Sequence, residues 1–140
     1  MLPAWLKFAV LSAFFAGLTA IFGKIGVQNI NSNLATFIRT IVILIIIGLL
    51  LTSRREWHSL NNVTWHSWLF LIISGIATGL SWLCYYRALQ IGPVSKIAPI
   101  DKLSVFFAIA IGVIFLGEKL TWQTAIGGGL IICGALTIAL

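Results

Sequence analysis

Apolar residues along this 140-residue chain neither alternate nor recur at three and four positions; they come in long runs separated by short polar punctuation. Five runs can be counted, at about residues 5–22, 34–51, 68–89, 97–116 and 122–140. Each is close to the roughly 20 apolar residues with which a helix crosses a hydrocarbon core about 30 Å thick. Strands fit poorly, because a membrane barrel alternates apolar and polar positions over about ten residues. Residues 41–51, by contrast, are apolar throughout apart from Gly48. The pattern predicts an all-α integral membrane protein of five transmembrane helices. Its connections, residues 23–33, 52–67, 90–96 and 117–121, are short, so neighbouring helices should run antiparallel and residues 1–140 should form a single domain. The first run follows Lys7 and ends in small residues near Leu18-Thr19-Ala20, as a secretory signal does. Four equally apolar runs follow it, which favours a retained span.

Composition narrows the function. With 60% hydrophobic and 9% charged residues, and a mean hydropathy of +1.08, a water-soluble globule is excluded. Five crossings use about 100 positions and leave about 40 for loops and tails, which gives no room for a soluble catalytic domain. Nine Lys and Arg against three acids make the net charge +6. No basic run exceeds Arg54-Arg55 and no aromatic-basic platform accompanies it, so nucleic acid is not an expected partner. Trp5, Trp57, Trp65, Trp68 and Trp122 fit an interfacial aromatic belt. His58 and His66, eight residues apart in a polar loop without nearby cysteines or paired carboxylates, read as solvated residues, and no metal site is assigned. Cys84 and Cys133 read as small packing residues. There is no Ser/His/Asp constellation on adjoining spans and no phosphate-binding loop, so neither an enzyme nor a bound cofactor is expected.

An odd number of crossings puts the two chain ends on opposite sides. Lys7, Arg54, Arg55 and Lys119 then face one side, and Lys24, Arg39, Arg87, Lys96 and Lys102 face the other. The balance is nearly even, and it turns on whether the partly embedded Arg39 and Lys102 are counted. Discounting them, Arg54-Arg55 weakly holds the N-terminus in the cytoplasm. Counting them leaves neither orientation favoured, and two copies inserted oppositely would make a ten-helix antiparallel homodimer.

Ionisable residues inside spans are expensive and count as functional candidates. Asp101 falls with Ser104, Ala108 and Gly112 on one small or polar helical face, while Lys102 joins the bulkier Val105, Phe106 and Ile109 and snorkels to the interface. Asp101 either serves transport or pairs with Arg39, Arg87 or Lys96. Arg39, which shares a polar face with Thr36 and Thr40, either binds an anionic group of cargo or closes an ion pair with Asp101. Lys24 ends the first span, as a snorkelling residue or a site cation. In the third span Ser74, Thr78, Ser81 and Tyr85 recur at helical spacing beside Gly75 and Gly79, with Trp82, Tyr85 and Tyr86 as aromatic surface for cargo or for core packing. Gly127-Gly128-Gly129 and Gly134 offer a further close-approach surface.

Three stretches carry a resemblance: Phe22-Gly23-Lys24-Ile25-Gly26 followed by Arg39; Trp82-Leu83-Cys84-Tyr85-Tyr86-Arg87-Ala88-Leu89 with the small-residue loop to Ala98; and Phe115-Leu116-Gly117-Glu118-Lys119-Leu120-Thr121 before a Gly-rich last helix. In this order and spacing the chain resembles the EamA-like branch of the drug/metabolite transporter superfamily along nearly its whole length. The resemblance implies one five-helix inverted-repeat unit standing alone, and export or exchange of a small organic metabolite by alternating access. It also implies a structural role for Gly117-Glu118-Lys119. One departure is Pro99, which comes slightly earlier than the fourth-helix proline common in the family, near where this chain carries Asp101-Lys102. The expected setting is a bacterial-type inner membrane, with the lipid bilayer and a small-molecule substrate as partners. Asp101, Arg39, Lys24, Tyr85 and Trp82 are the candidate substrate or coupling residues. The alternatives are a non-transporting subunit that packs against other helices and a flippase for lipid-linked groups.

Overall fold

In the computed structural model, which describes residues 3–140, no strand occurs among the described residues, and five stretches are long and apolar enough to span a membrane. Helix α1 covers Ala4–Val27, α2 Ser32–Arg54, α3 Trp65–Ile91, α4 Val94–Asp101, α5 Ser104–Phe115 and α6 Trp122–Ala139. Together α4 and α5 make the fourth span, Val94–Phe115.

The helix ends are set by local chemistry. Helix α1 runs past the predicted end, because nothing in Gly23-Lys24-Ile25-Gly26-Val27 breaks a helix. Helix α2 starts where the Asn31 side chain accepts the Asn33 N–H at 2.8 Å. Thr64 and Thr121 do the same for α3 and α6, accepting the N–H groups of Ser67 and Thr124 at 3.2 Å. Gly92-Pro93 stops α3. The second connection is not plain coil: Arg55 turns left-handed at φ 55°, a 3-10 helix follows over Glu56–Asn62, and the Trp57 indole donates to Thr52 Oγ1 at 3.0 Å.

The fourth span differs from the single helix that the sequence predicts. Pro99 has no N–H, and its ring crowds the carbonyl four residues back. Tighter bonds take over just beyond it. Lys102 N–H donates to the Pro99 carbonyl, Leu103 to Ile100, Val105 to Lys102 and Phe106 to Leu103, at 2.9–3.0 Å. The joint at residues 102–103 keeps its backbone satisfied while dividing the helix.

The chain clusters into two compact units, Ile25–Gln90 and a second made of α1 up to Lys24 with Ile91–Leu140. In the second unit α6 packs against both α4 and α5. Gly128 permits this: a Cβ there would lie 2.9 Å from Ile109 Cδ1, whereas at Gly127, Gly129 and Gly134 it would meet open space. The same openness holds at Gly75 and Gly79 on α3. Only Gly128 among these expected close-approach glycines therefore has a neighbour, the tip of the Ile109 side chain, that an added Cβ would displace. Cys84 and Cys133, expected as packing residues, are exposed on their helices. Beyond α5, Gly117 turns at φ 67° and the Gly112 carbonyl accepts both Leu116 and Glu118 N–H groups. The Glu118 carboxylate lies against Gly112, 3.0 Å from where a Cβ would stand.

Replacing Gly128 by Leu should lower stability in detergent micelles by about 1–3 kcal/mol, the usual cost of overpacking. Gly127→Leu should be nearly neutral. Thermal unfolding of both variants is the check, and equal losses would contradict the close approach at Gly128.

Candidate substrate site

Within the unit Ile25–Gln90, the first turns of α2 bury Ser32, Ala35 and Thr36. Their hydroxyls are served locally: Thr36 Oγ1 donates to the Ser32 carbonyl at 2.9 Å and Thr40 Oγ1 to Thr36 at 2.8 Å. These threonines therefore spend their donors on the helix itself. Arg39, three residues beyond Thr36, is half-buried. Seven residues past the start of α2, it lies about 10 Å along the axis.

Its guanidinium carbon stands 3.8 Å from the centre of the Trp82 ring, lying over it, and 5.4 Å from that of Tyr86. Trp82 and Tyr86 are four residues apart on α3 and so share a face. Tyr86 is 4% exposed, and its ring meets Tyr85 edge-on at 6.3 Å. Desolvated cation-π contacts contribute about 2 kcal/mol or more. Placing Arg at the centre of a membrane helix costs about 2.5–3.5 kcal/mol on insertion scales. Arg39 is nearer the helix start than its centre and only half-buried, and the two rings offset part of the cost of its charge. Among the described residues of this unit, the guanidinium makes no hydrogen bond and no ion pair. The unit's sole acid in sequence is Glu56, beyond the far end of α2, which itself ends fifteen residues past Arg39, about 22 Å at 1.5 Å per residue.

At the same end of this unit, Gln90 ties the chain together. Its amide donates to the carbonyls of Ile30 at 2.9 Å and Val27 at 3.4 Å, and its Oε1 accepts from Arg87 at 2.7 Å. The carbonyl of Val27, the last residue of α1, and that of Ile30 in the following connection are both served by this one side chain. Arg87, a candidate partner of Asp101 from sequence, is thereby engaged with Gln90.

The other candidates lie in the second unit. Lys24, in the last turn of α1, donates to the Gly92 carbonyl at 2.8 Å, just beyond α3. Lys96 donates to the Ala139 carbonyl at 3.1 Å, serving the end of α6. Asp101 is the last residue of α4 and Lys102 the first of the joint that follows it. They form an ion pair at 3.7 Å with side chains 42% and 55% exposed. Two apolar hollows in this unit, of about 410 Å³ against α5 and α6 and about 590 Å³ against α1 and α4, have almost no polar lining with which to orient cargo.

Of the five residues singled out from sequence, the structure brings Arg39 and Trp82 into contact, with Tyr85 beside Tyr86. Tyr86, which the sequence offers only as aromatic surface, is the second ring near Arg39, and Gln90 is a contributor the sequence does not single out. The four-residue step from Trp82 was the signal for Tyr86, while nothing in the sequence marked Gln90.

The Gln90→Leu variant should lose about 1–3 kcal/mol through unsatisfied carbonyls. Hydrogen exchange should speed up over residues 27–33 and stay unchanged in α5 and α6.

The profile of the EamA-like transporter family matches residues 3–140. The chain is also 47% identical, over 139 residues and 99% of both chains, to an uncharacterized transporter in the cobO 3' region of a Sinorhizobium species. No solved structure matches. Family profile and relative agree with five membrane-length apolar helices, and this multi-pass membrane chain belongs to the EamA-like transporter family.

Proposed function

We propose that this protein moves a small organic metabolite across a bacterial-type inner membrane by alternating access, as exporter or exchanger, with two copies inserted oppositely to form an antiparallel homodimer. The observation that carries the reading is the divided fourth span. A membrane helix that changes to i→i−3 bonding in mid-span marks a hinge, and ionisable residues within a span are expensive unless they meet a cavity, water or a moving site. Discontinuous helices recur at transporter binding sites for that reason. Here Asp101 and Lys102 occupy such a break between α4 and α5. Family membership across residues 3–140 supports transport as the activity. The homodimer draws its support from the near-even division of basic residues between the two sides and from five crossings, which leave one repeat without its inverted counterpart. In this reading Asp101 is the coupling candidate, Arg39 with Trp82 and Tyr85 contacts cargo, and Lys24 holds the junction after α3.

Purified protein reconstituted alone in liposomes should show substrate-dependent flux, with candidate cargo chosen by comparing metabolites of cells that lack or overproduce it. Asp101→Asn should cut that flux at least about tenfold, a change of about 1.4 kcal/mol in barrier, and flatten its pH dependence. Unchanged flux and pH profile would reject coupling through Asp101, and no flux from the wild type would favour a packing subunit. Reporters fused after Leu140, one active only in the cytoplasm and one only outside it, should both give signal. Activity from a single reporter would reject opposite insertion.

A further inference from the structure

We infer that Arg39 and Trp82 form a seat for an anionic group, a carboxylate or phosphate, carried by the transported molecule. The inference rests on the transport reading and deepens it by giving the cargo a charge. Guanidinium is planar, with its five N–H donors in the plane and its faces free of them. In this protein the guanidinium carbon lies over the Trp82 ring, 3.8 Å from its centre and within stacking distance, and 5.4 Å from that of Tyr86. That contact stabilises the charge but uses none of the donors. Thr36 and Thr40 give their hydroxyl protons to the carbonyls of Ser32 and Thr36, so the polar neighbours on α2 are already engaged along the helix.

The rest of the unit does not supply the missing acceptor. It contains four arginines and one acid, and that acid, Glu56, follows the far end of α2. Arg39 is half-buried, so the site is neither sealed nor freely hydrated. An oxyanion with two coplanar acceptor oxygens matches the in-plane fork of donors, and an apolar body attached to it would meet the aromatic wall. Trp82 fixes the plane of the guanidinium before the ligand arrives, which lowers the ordering cost of binding. Carboxylate and phosphate both satisfy this description. A phosphate could come from a dissolved metabolite or from a lipid headgroup, and the test separates the two.

Full-length protein in phosphatidylcholine nanodiscs is titrated with benzoate, phenyl phosphate and the neutral analogue benzamide. The readout is the Trp82 contribution to emission, isolated from the other five tryptophans by difference from Trp82→Phe. Benzoate or phenyl phosphate should change it saturably and benzamide should not. Arg39→Gln should abolish the change. Arg39→Lys keeps the charge but loses the planar fork, and should raise the apparent Kd at least about tenfold; it also serves if the glutamine variant does not fold. Equal responses to benzoate and benzamide, or a wild-type response in Arg39→Gln, would overturn the seat. If phosphatidylglycerol nanodiscs alone produce the change and benzoate does not compete, the occupant is a headgroup and the cargo assignment fails. Anion binding without flux would leave the seat standing and reject transport, whereas flux indifferent to cargo charge would do the reverse.

Discussion

The hydrocarbon core offers no water to a backbone N–H or carbonyl, and the structure follows from that shortage. Every long apolar run is helical because a helix satisfies its own peptide groups. The departures from regular helix are resolved within the chain. A turn beyond Pro99, i→i−3 bonds carry the backbone past the joint at residues 102–103. At or just beyond the helix ends Lys24, Gln90 and Lys96 each give side-chain donors to backbone carbonyls. Polar side chains that a soluble protein would turn toward water are used here to close the backbone.

Against this background Arg39 stands apart. Lys24, Arg87, Lys96 and Lys102 each have a visible occupation, in a carbonyl, an amide or a neighbouring acid. Arg39 has two aromatic rings, which receive its charge without accepting its protons. Electrostatic stabilisation and hydrogen-bond satisfaction are separable quantities, and in this side chain one is supplied without the other. The arrangement suits a group that must hold its shape between successive encounters with a partner.

Spans and their order are legible in sequence because long apolar runs leave few architectures open. The ends were less so, since Asn31, Thr64 and Thr121 fix helix starts through side-chain geometry that a hydropathy pattern does not register. The fourth apolar run predicts one continuous helix, and the change to i→i−3 bonding at residues 102–103 is not legible in it. Pro99 was visible, but whether a proline kinks a helix or divides it depends on the packing around it. Arg39 and Trp82 were each recognisable as unusual, but their contact joins residues 43 positions apart and no local spacing encodes it. Tyr85 drew attention through its step from Ser81, whereas the ring that reaches Arg39 belongs to its neighbour Tyr86.

The unequal lengths of the spans have a mechanical consequence. Helix α3 has 27 residues and α6 has 18, about 40 Å and 27 Å at 1.5 Å per residue. A bilayer of one thickness cannot match both. In a thin membrane α3 must lean or push its ends outward, where Trp65 and Trp68 at one end and Arg87 and Gln90 at the other suit the headgroup layer. In a thick one the lipid must pinch inward around α6. Elastic deformation of the surrounding lipid therefore enters the energy of this protein, and the tilt of its longest helix is set partly by the membrane it inhabits.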